Sequence, residues 1–302
     1  MGFVPLSPPT LPEILRLGWF RFKSCLYALG NRTLSRSAHE RKMREWKTRI
    51  ADVLACPDNA HLPRVADAGK IEGAVQTMHN GLKVVKDCYY RWRGTAMFAA
   101  TGGVHEPQEE RVFAAVLKFV PPAGVMIELG AYWSFYSMWF AREVPQARCI
   151  LVEPMLGNLD LGRENFRLNR LEGEFVRAKV GAASAHHWLG GDTVSVDDLV
   201  AQRGLAQVDI LHSDIQGYEG EMLKGATRTL RDRKVRFVFI STHSADLHAH
   251  CRAELQKLDF AIIADADLPG SFSVDGILVG QLRGTAGPGP VPISQRSAQS
   301  QS

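Results

Sequence analysis

Short apolar runs alternate with helix-like segments from residue 125 onward, and this alternation restricts the fold more than any other feature of the sequence. The five runs span residues 125–129, 149–154, 173–184, 208–215 and 235–244. Each run is apolar on both faces, which is typical of strands that helices cover on both sides. The sequence therefore predicts an α/β domain with a largely parallel sheet.

The last two apolar segments depart from this alternation. Residues 260–267 and 274–282 both have the pattern of strands, and only about six residues separate them. A parallel connection needs a crossover of about a dozen residues or more, usually a helix. We therefore expect the last strand to run antiparallel to its neighbours.

Composition divides the chain around this α/β core. Residues 1–12 are rich in proline and small residues, and residues 284–302 are of low complexity, so both segments are expected to be disordered. Residues 13–95 form a predicted basic, helical N-terminal extension. Residues 96–283 then make up the predicted α/β domain.

The N-terminal extension concentrates the positive charge of the chain. Residues 1–50 contain ten Lys or Arg and three Asp or Glu, a net charge of +7, whereas the whole chain carries +4. Trp19 and Phe20 belong to an apolar face with Arg16 and Arg21 around it. This pattern fits a helix that packs on its own domain, an interfacial helix that contacts anionic lipid, or a nucleic-acid-binding arm. The remaining chain is not basic, which argues against a nucleic-acid partner.

Cysteine content and hydropathy indicate a protein of a reducing compartment. No two of the five cysteines form a CxxC pair, which argues against a zinc ribbon or a thioredoxin-type site. Their low density also argues against a disulfide framework. The N-terminus lacks the features of a secretory signal and of a myristoylation site, and no apolar run reaches ~18 residues. We therefore expect a cytoplasmic location, with peripheral contact to the inner face of a membrane if the basic helix binds lipid.

The first apolar run ends in a glycine turn that suits a nucleotide-like ligand. The segment reads Glu128-Leu-Gly130-Ala131-Tyr132-Trp-Ser134. The glycine lets a ligand approach the backbone, and the following helix N-terminus offers free N–H groups. A dinucleotide fingerprint would read GxGxxG, and Glu128 would repel a pyrophosphate but attract a sulfonium or ammonium group. A plain strand-to-helix turn without a ligand is the alternative interpretation.

A second acid closes the next apolar run. Glu153 stands about two dozen residues after Gly130, where an acid typically hydrogen-bonds the ribose hydroxyls of an adenosine-containing cofactor. A solvated carboxylate at a strand end is the alternative. Together with the antiparallel last strand, the two acids Glu128 and Glu153 point to S-adenosylmethionine rather than NAD as the cofactor.

The third motif follows the fourth run and carries a family resemblance. It reads His212-Ser-Asp214-Ile-Gln216-Gly-Tyr-Glu219 and continues into LKGA at residues 223–226. IELGA, LVEP and SVDDL precede it in the sequence. In this order, the segments resemble the pattern of FkbM-type methyltransferases, in which a strand runs into (K/H)xDxxGxE and then LxGA.

The resemblance covers roughly residues 102–282 and implies a seven-stranded, Rossmann-like class I methyltransferase sheet. It also implies methyl transfer from S-adenosylmethionine, often to a hydroxyl of a sugar or a natural product. Tyr132 and Ser134 replace the Asn and Gly usual in the first motif, and His212 takes the common Lys position. The cofactor-binding residues indicated by the three motifs are Glu128, Gly130, Ala131, Tyr132, Glu153, Ser213 and Asp214.

Methyl transfer to a hydroxyl needs an acceptor held about 3 Å from the methyl group and a group that takes its proton. The candidates lie at the carboxyl ends of the fourth and fifth runs, namely Asp214, His212 and His243. The unperturbed pKa of histidine, near 6.5, suits proton uptake at neutral pH. We expect Asp214 or His243 to be the base, with the other residue orienting it or the acceptor.

Four further residues are candidates for substrate contact. Glu106 and Glu109 begin the helix before the first strand of the α/β domain, and Gln216 and Glu219 follow Asp214. Helix capping explains the two acids of the helix equally well. The expected partner is a small-molecule or saccharide acceptor.

Histidines near adjacent strand ends raise the question of a metal. His248 and His250 lie two positions apart on a predicted helix, so their side chains do not converge. Mg²⁺ prefers oxygen ligands, and the group of His212, His243 and Asp214 offers few. We therefore predict no metal site. Alternative functions are methylation of a nitrogen nucleophile and a non-catalytic scaffold with the same fold, whereas the missing GxGxxG argues against a dehydrogenase.

Overall fold

The computed structural model describes residues 36–186 and 191–296 of the chain. The predicted disorder of residues 1–12, the predicted helix with Trp19 and Phe20, and the end of the predicted tail after residue 296 lie outside the described residues. None of the helices in the two described ranges is long and apolar enough to cross a membrane.

Two units make up the chain, Met1–Thr48 and Arg49–Ser302. Helix α1 spans Arg36–Ala55. The sequence places the start of the α/β domain at residue 96 and its end at residue 283, and these boundaries stay predictions. The sheet and the candidate site lie in the second unit.

The segment between α1 and the central sheet folds into a small sheet and a helix, although its sequence gives only weak signals. It contains a short 3₁₀ helix, Pro57–His61, and three antiparallel strands, β1 (Ile71–Glu72), β2 (Val75–Thr77) and β3 (Lys83–Val85). Helix α2, Trp92–Thr101, follows.

Seven strands form the central sheet, and the apolar runs of the sequence account for them. The parallel strands are β4 (Val125–Leu129), β5 (Arg148–Val152), β6 (Glu174–Val176), β9 (Val208–Ser213) and β10 (Val235–Thr242). The last two strands are β11 (Phe260–Ala266) and β12 (Gly276–Leu282). Two short strands outside this sheet, β7 (Lys179–Val180) and β8 (Thr193–Val194), pair in parallel.

The strand order is β6-β5-β4-β9-β10-β12-β11. β12 pairs antiparallel with both β10 and β11, whereas the pairs from β6 to β10 are parallel. The connection from β11 to β12 is too short for a crossover helix, which explains the reversal. The predicted seven-stranded, Rossmann-like sheet with an antiparallel last strand is confirmed.

Helices connect the strands of this sheet and cover it. They are α3 (Pro107–Leu117), α4 (Phe135–Glu143), α5 (Leu156–Leu168), α6 (Val196–Gln202), α7 (Glu219–Gly225), α8 (Thr227–Arg231) and α9 (Ala245–Lys257). Every residue of β9 is buried, so the centre of the sheet is covered on both faces. Burial of each large apolar side chain contributes about 1.5–3 kcal/mol. Polar side chains enter these buried strands near their carboxyl ends, at Glu128, His212 and Ser213.

The segment after β12 makes specific contacts up to residue 296. The backbone N–H of Val291 donates to the carbonyl oxygen of Ile263 at 2.7 Å. The N–H of Ser294 donates to Oδ2 of Asp58 at 2.9 Å. Backbone groups make these two contacts, so the low-complexity composition of the segment gives no signal of them.

Candidate active site

A cavity of about 760 Å³ opens at the carboxyl ends of β4, β5 and β9. This edge is where ligands bind in open α/β sheets, and the volume lies in the range of small-molecule sites. The predicted site residues that line it are Glu106, Glu128, Gly130, Ala131, Tyr132, Glu153, His212, Asp214 and Gln216. The remaining predicted residues, Glu109, Ser213, Glu219 and His243, are not part of the lining.

The turn after β4 is tight because three of its residues have positive φ. The φ angles are 77° at Gly130, 43° at Tyr132 and 68° at Ser134. The N–H groups of Gly130 and Ala131 both donate to the carbonyl oxygen of Val152, at 2.9 and 3.0 Å. A glycine adopts such angles without steric cost, which explains why glycine is usual where this chain has Ser134.

Tyr132 joins this turn to the segment before α2. Its hydroxyl oxygen accepts a hydrogen bond from the backbone N–H of Tyr90 at 3.0 Å. Tyr90 itself has a φ of 44°, and its neighbour Arg91 has a φ of 63°. Two strained turns therefore meet at the cavity, and the tyrosine that departs from the family pattern links them.

Glu153 is held in place by donors from both sides of its loop. Its Oε2 accepts from the N–H of Tyr132 at 3.2 Å. Its Oε1 accepts from the N–H of Met155 at 2.8 Å and from Nδ2 of Asn158 at 3.3 Å. Burial raises the pKa of this carboxyl above its usual value, against the effect of these hydrogen bonds. The carboxylate is thus positioned at the cavity wall with defined orientation.

Glu128, near the carboxyl end of β4, lines the same cavity. It is almost fully buried, and its Oε2 accepts from the N–H of Ser137 at 3.2 Å. Burial raises its pKa to about 7. The side chain therefore titrates near neutral pH.

The first turn of α3 supplies a buried partner for His212. Nε2 of His212 lies 2.7 Å from Oε1 of Glu109, and Oγ of Ser241 donates to Oε2 of Glu109 at 3.3 Å. Burial lowers the pKa of His212, but the hydrogen bond and charge of Glu109 outweigh this effect and raise it. Glu109 therefore holds His212, and its expected contact with the substrate stays a prediction.

The neighbouring acids of α3 form a second buried network with two histidines. Glu110 Oε1 lies 2.6 Å from His105 Nδ1, and its Oε2 lies 3.2 Å from His79 Nε2. Glu106 Oε2 lies 3.2 Å from His105 Nε2 and accepts from the hydroxyl of Tyr136 at 3.0 Å. Burial raises the pKa of Glu106, but the charge of His105 lowers it to about 2. Glu106 thus brings a fixed negative charge to the cavity.

His243 connects three carboxylates at the end of β10. Its Nδ1 lies 3.0 Å from Oε1 of Glu219. Its Nε2 lies 3.2 Å from Oδ1 of Asp214 and 3.3 Å from Oδ1 of Asp275. Burial lowers the pKa of His243, but hydrogen bonds to Asp214 and Glu219 raise it to about 10. The imidazole is therefore cationic at neutral pH and forms ion pairs with these carboxylates.

Several lining residues have no distinguishing signal in the sequence. Arg49 is buried, and its guanidinium lies over the rings of Tyr89 and Tyr90, 5.3 and 5.6 Å from their centroids. Asp275 directly precedes β12 and lines the cavity. It lies outside the family motifs of the sequence. Burial and the charge of Asp214 raise its pKa to about 7.

The described lining carries more acids than cations. The acids are Glu106, Glu128, Glu153, Asp214, Glu221 and Asp275, whereas the cations are Arg49, Lys179 and His105. Burial lowers the pKa of His105, but the charges of Glu106 and Glu110 raise it to about 10. Such a lining favours a ligand with positive charge. In the described ranges, no group of three or more His, Cys, Asp and Glu side chains is arranged to hold a metal ion.

One known protein family matches the part of the chain that contributes β9, β10 and the loops after them to this site. Residues 190–262 match the family model described as a methyltransferase FkbM domain. This segment of the chain is similar to FkbM-type methyltransferases. The predicted resemblance is thereby confirmed on the segment with His212, Asp214, Glu219 and His243. The FkbM match does not extend to Gly130 or Glu153, so the roles of these residues stay predictions.

Solved structures similar to this chain have low sequence identity to it. A precorrin-6y C5,15-methyltransferase from Geobacter metallireducens GS-15 has 13% identity, with 57% of this chain and 87% of that chain covered and a TM-score of 0.38. A putative rRNA methylase from Clostridium thermocellum has 7% identity, with 63% of this chain and 96% of that chain covered and a TM-score of 0.42. A putative O-methyltransferase from Klebsiella pneumoniae has 14% identity, with 53% of this chain and 73% of that chain covered and a TM-score of 0.36. No curated protein matches the chain.

Proposed function

We propose that this methyltransferase transfers a methyl group from S-adenosylmethionine to a hydroxyl of a small-molecule or saccharide acceptor. The observation that carries the proposal is the fixed carboxylate of Glu153 beside the turn at Gly130. An acid at the end of the second parallel strand and a close backbone approach after the first are the features that hold an adenosine cofactor in such sheets.

The residues of the cavity fit this cofactor. Gly130 leaves its backbone open to a ligand, and Glu153 keeps acceptor capacity for hydroxyl groups beyond its present hydrogen bonds. Glu128, Ala131 and Tyr132 complete the wall that we propose for the cofactor, with Ser213 and Asp214 at the end of β9. When bound, S-adenosylmethionine supplies an electrophilic methyl group on a cationic sulfur, and the acidic lining supports that charge.

The groups that line the rest of the cavity suit contact with the acceptor. The exposed rings of Tyr90 and Tyr218 offer apolar faces at the lining. Asp214, with Gln216 Nε2 donating to its Oδ1 at 3.0 Å, is positioned to accept a hydrogen bond from a hydroxyl. Because His243 is cationic at neutral pH, we assign it to orient Asp214 rather than to take the proton itself. Glu106 is a further candidate for acceptor contact.

Calorimetric titration tests the cofactor. Wild-type protein is titrated with S-adenosylmethionine, with S-adenosylhomocysteine and with NAD. We expect micromolar binding of both sulfur nucleosides, no binding of NAD, and at least about tenfold weaker binding to Glu153→Gln, since a charge-assisted hydrogen bond is lost. Glu143→Gln is the matched control, because Glu143 is exposed at the end of α4. Equal affinities of the Glu153→Gln variant and wild type would contradict the assigned role.

A transfer assay tests the acceptor class. Radiolabelled S-adenosylmethionine is incubated with the protein and either a set of methyl glycosides or bulk tRNA. We expect label in the glycosides and none in tRNA above a control without protein. Labelled tRNA would overturn the small-molecule acceptor. Cofactor binding without any transfer, in assays that also include amine acceptors, would favour the non-catalytic scaffold.

We also propose that the basic N-terminal segment makes peripheral contact with anionic lipid at the cytoplasmic face of a membrane. The support is the net charge of +7 in residues 1–50 together with the aromatic residues Trp19 and Phe20. The test is co-sedimentation of the full chain with vesicles of phosphatidylserine and phosphatidylcholine. Substitution of Arg16 and Arg21 by Glu is expected to reduce pelleting to the level seen with phosphatidylcholine alone, and equal pelleting would exclude this contact.

A further inference from the structure

We propose that Asp275 accepts the proton of the acceptor hydroxyl and that His243 holds its carboxylate for this purpose. The inference rests on the proposed methyl transfer to oxygen. Asp275 is the residue directly before β12, and it lines the same cavity as Gly130, Glu153 and Asp214. The sequence motifs do not include it.

The contacts of His243 divide the two aspartates into different roles. Nδ1 of the imidazole faces Glu219, so only Nε2 is available to Asp214 and Asp275. Asp214 has a second donor in Gln216, which is 3.0 Å away. Asp214 is thus held by two donor groups, whereas the carboxylate of Asp275 is in contact with Nε2 of His243. The carboxylate of Asp275 is therefore the less engaged of the two, and we assign the proton to it.

The charged groups around Asp275 come from every element that faces it. Asp214 after β9 and Glu106 before α3 raise its pKa, and His243 after β10 and Arg49 on α1 lower it. Burial is the largest effect, and the resulting pKa is about 7. At neutral pH a substantial fraction is carboxylate, and its basicity suits uptake of a hydroxyl proton better than that of an exposed aspartate.

The loop that carries Asp275 is held by hydrogen bonds to the side chain of Gln108 on α3. Oε1 of Gln108 accepts from the N–H of Phe272 at 2.7 Å, and its Nε2 donates to the carbonyl oxygen of Ser294 at 2.6 Å. Asp267 accepts from the N–H of Gly270 at 3.0 Å within the same loop. A positioned carboxylate is what general base catalysis requires.

The proposed step balances in atoms and charge. The O–H bond of the acceptor breaks, and its proton passes to the carboxylate of Asp275. The acceptor oxygen forms a bond to the methyl carbon while the carbon–sulfur bond breaks, and the electron pair of that bond stays on sulfur. The products are a methyl ether, neutral Asp275 and S-adenosylhomocysteine, and the proton of Asp275 then leaves to solvent.

Proton linkage during cofactor binding tests this assignment without an identified acceptor. Binding of S-adenosylmethionine is measured by calorimetry at pH 7 in two buffers that differ in ionisation enthalpy, which gives the number of protons released. A sulfonium near Asp275 lowers its pKa, so we expect Asp275 to contribute about 0.4 proton to the extra release with S-adenosylmethionine over S-adenosylhomocysteine. In Asp275→Asn this contribution is expected to disappear, whereas Glu128, whose pKa is also about 7, keeps its own contribution.

Controls separate the role of Asp275 from a general effect on the loop. Asp267→Asn changes the same residue type in the same loop, keeps an oxygen for Gly270, and is expected to retain the full proton release. Asp275→Glu retains a carboxylate and is expected to retain most of it, which covers the case that Asp275→Asn does not fold. Unchanged release in a folded Asp275→Asn protein would overturn the assignment of Asp275 alone. Failure of wild type to bind S-adenosylmethionine would instead overturn the proposed function, and the assignment of Asp275 with it.

Discussion

The carbonyl oxygen of Asp214 occupies the space that a side chain on Gly130 would need. A Cβ atom added to Gly130 would lie 1.8 Å from this oxygen. The contact arises because β4 and β9 are adjacent, so the loops that leave them meet at the same edge of the sheet. The positive φ of Gly130 adds a second reason for glycine at this position.

Substitution of Gly130 by Ala is expected to lower the free energy of unfolding by at least about 2 kcal/mol, because the turn must move and φ is unfavourable for alanine. Urea denaturation measures this loss, and calorimetry is expected to show weaker binding of S-adenosylmethionine. Gly157→Ala is the matched control, since a Cβ there meets no atom within 4 Å. A Gly130→Ala protein as stable as Gly157→Ala would show that the turn adapts freely.

The cationic state of His243 predicts a pH dependence of stability. Its pKa in the folded protein is about 10, above the value near 6.5 of an unfolded chain. The stabilisation is therefore complete below pH 6.5 and is lost as the pH rises through 10. The difference in unfolding free energy between wild type and His243→Gln is expected to be about 3 kcal/mol larger at pH 6 than at pH 10, once the pKa shift is discounted for solvent screening of a partly exposed side chain. Denaturant titrations at both pH values check this, and an equal difference at both would argue against a cationic His243.

Loss of the Gln108 side chain is expected to destabilise the loop before β12. In Gln108→Ala the buried N–H of Phe272 loses its acceptor, which costs about 2–3 kcal/mol. Gln207→Ala is the control, because Gln207 is exposed and donates only to the carbonyl oxygen of Lys234. We expect urea denaturation to give a change within about 0.5 kcal/mol for that variant. Similar losses in both variants would mean that Gln108 is not a specific anchor.

The hydroxyl of Tyr132 is expected to protect the amide of Tyr90 from hydrogen exchange. Removing it in Tyr132→Phe leaves the N–H without this acceptor, and exchange is expected to accelerate roughly fivefold, the equivalent of about 1 kcal/mol. Hydrogen exchange followed by mass spectrometry of peptides across residues 87–91 measures this change. Tyr218→Phe, an exposed tyrosine of the same cavity, is expected to leave the rate unchanged.

The sheet could be predicted because its strands are buried on both faces and therefore continuous in apolar character. The positions of Gly130, Glu153 and Asp214 could be predicted as well, since strand ends of a parallel sheet converge at one edge. Asp275 could not, because it belongs to the antiparallel connection, where no motif fixes spacing. Arg49 was equally hidden, since it is one of ten basic residues in the first fifty and its stacking on Tyr89 depends on tertiary structure.

The acids of α3 show a different limit of sequence-based interpretation. Glu106, Glu109 and Glu110 have the composition of a helix N-terminus, where acids favour the helix dipole. In the folded chain Glu109 is paired with His212, which is 103 residues away in sequence. Buried acids paired with histidines cannot be distinguished from exposed capping acids by local pattern, because the two differ only in their distant partners.

The crowded first turn of α3 constrains how this enzyme can evolve new acceptors. Within six residues its side chains contact histidines, a loop and a strand end, so a change at any one of them alters several contacts at once. Natural variation in substrate range is therefore expected to accumulate at exposed lining positions such as Tyr90 and Tyr218, while residues 105–110 stay fixed. Directed evolution for new acceptors has most freedom at these two tyrosines.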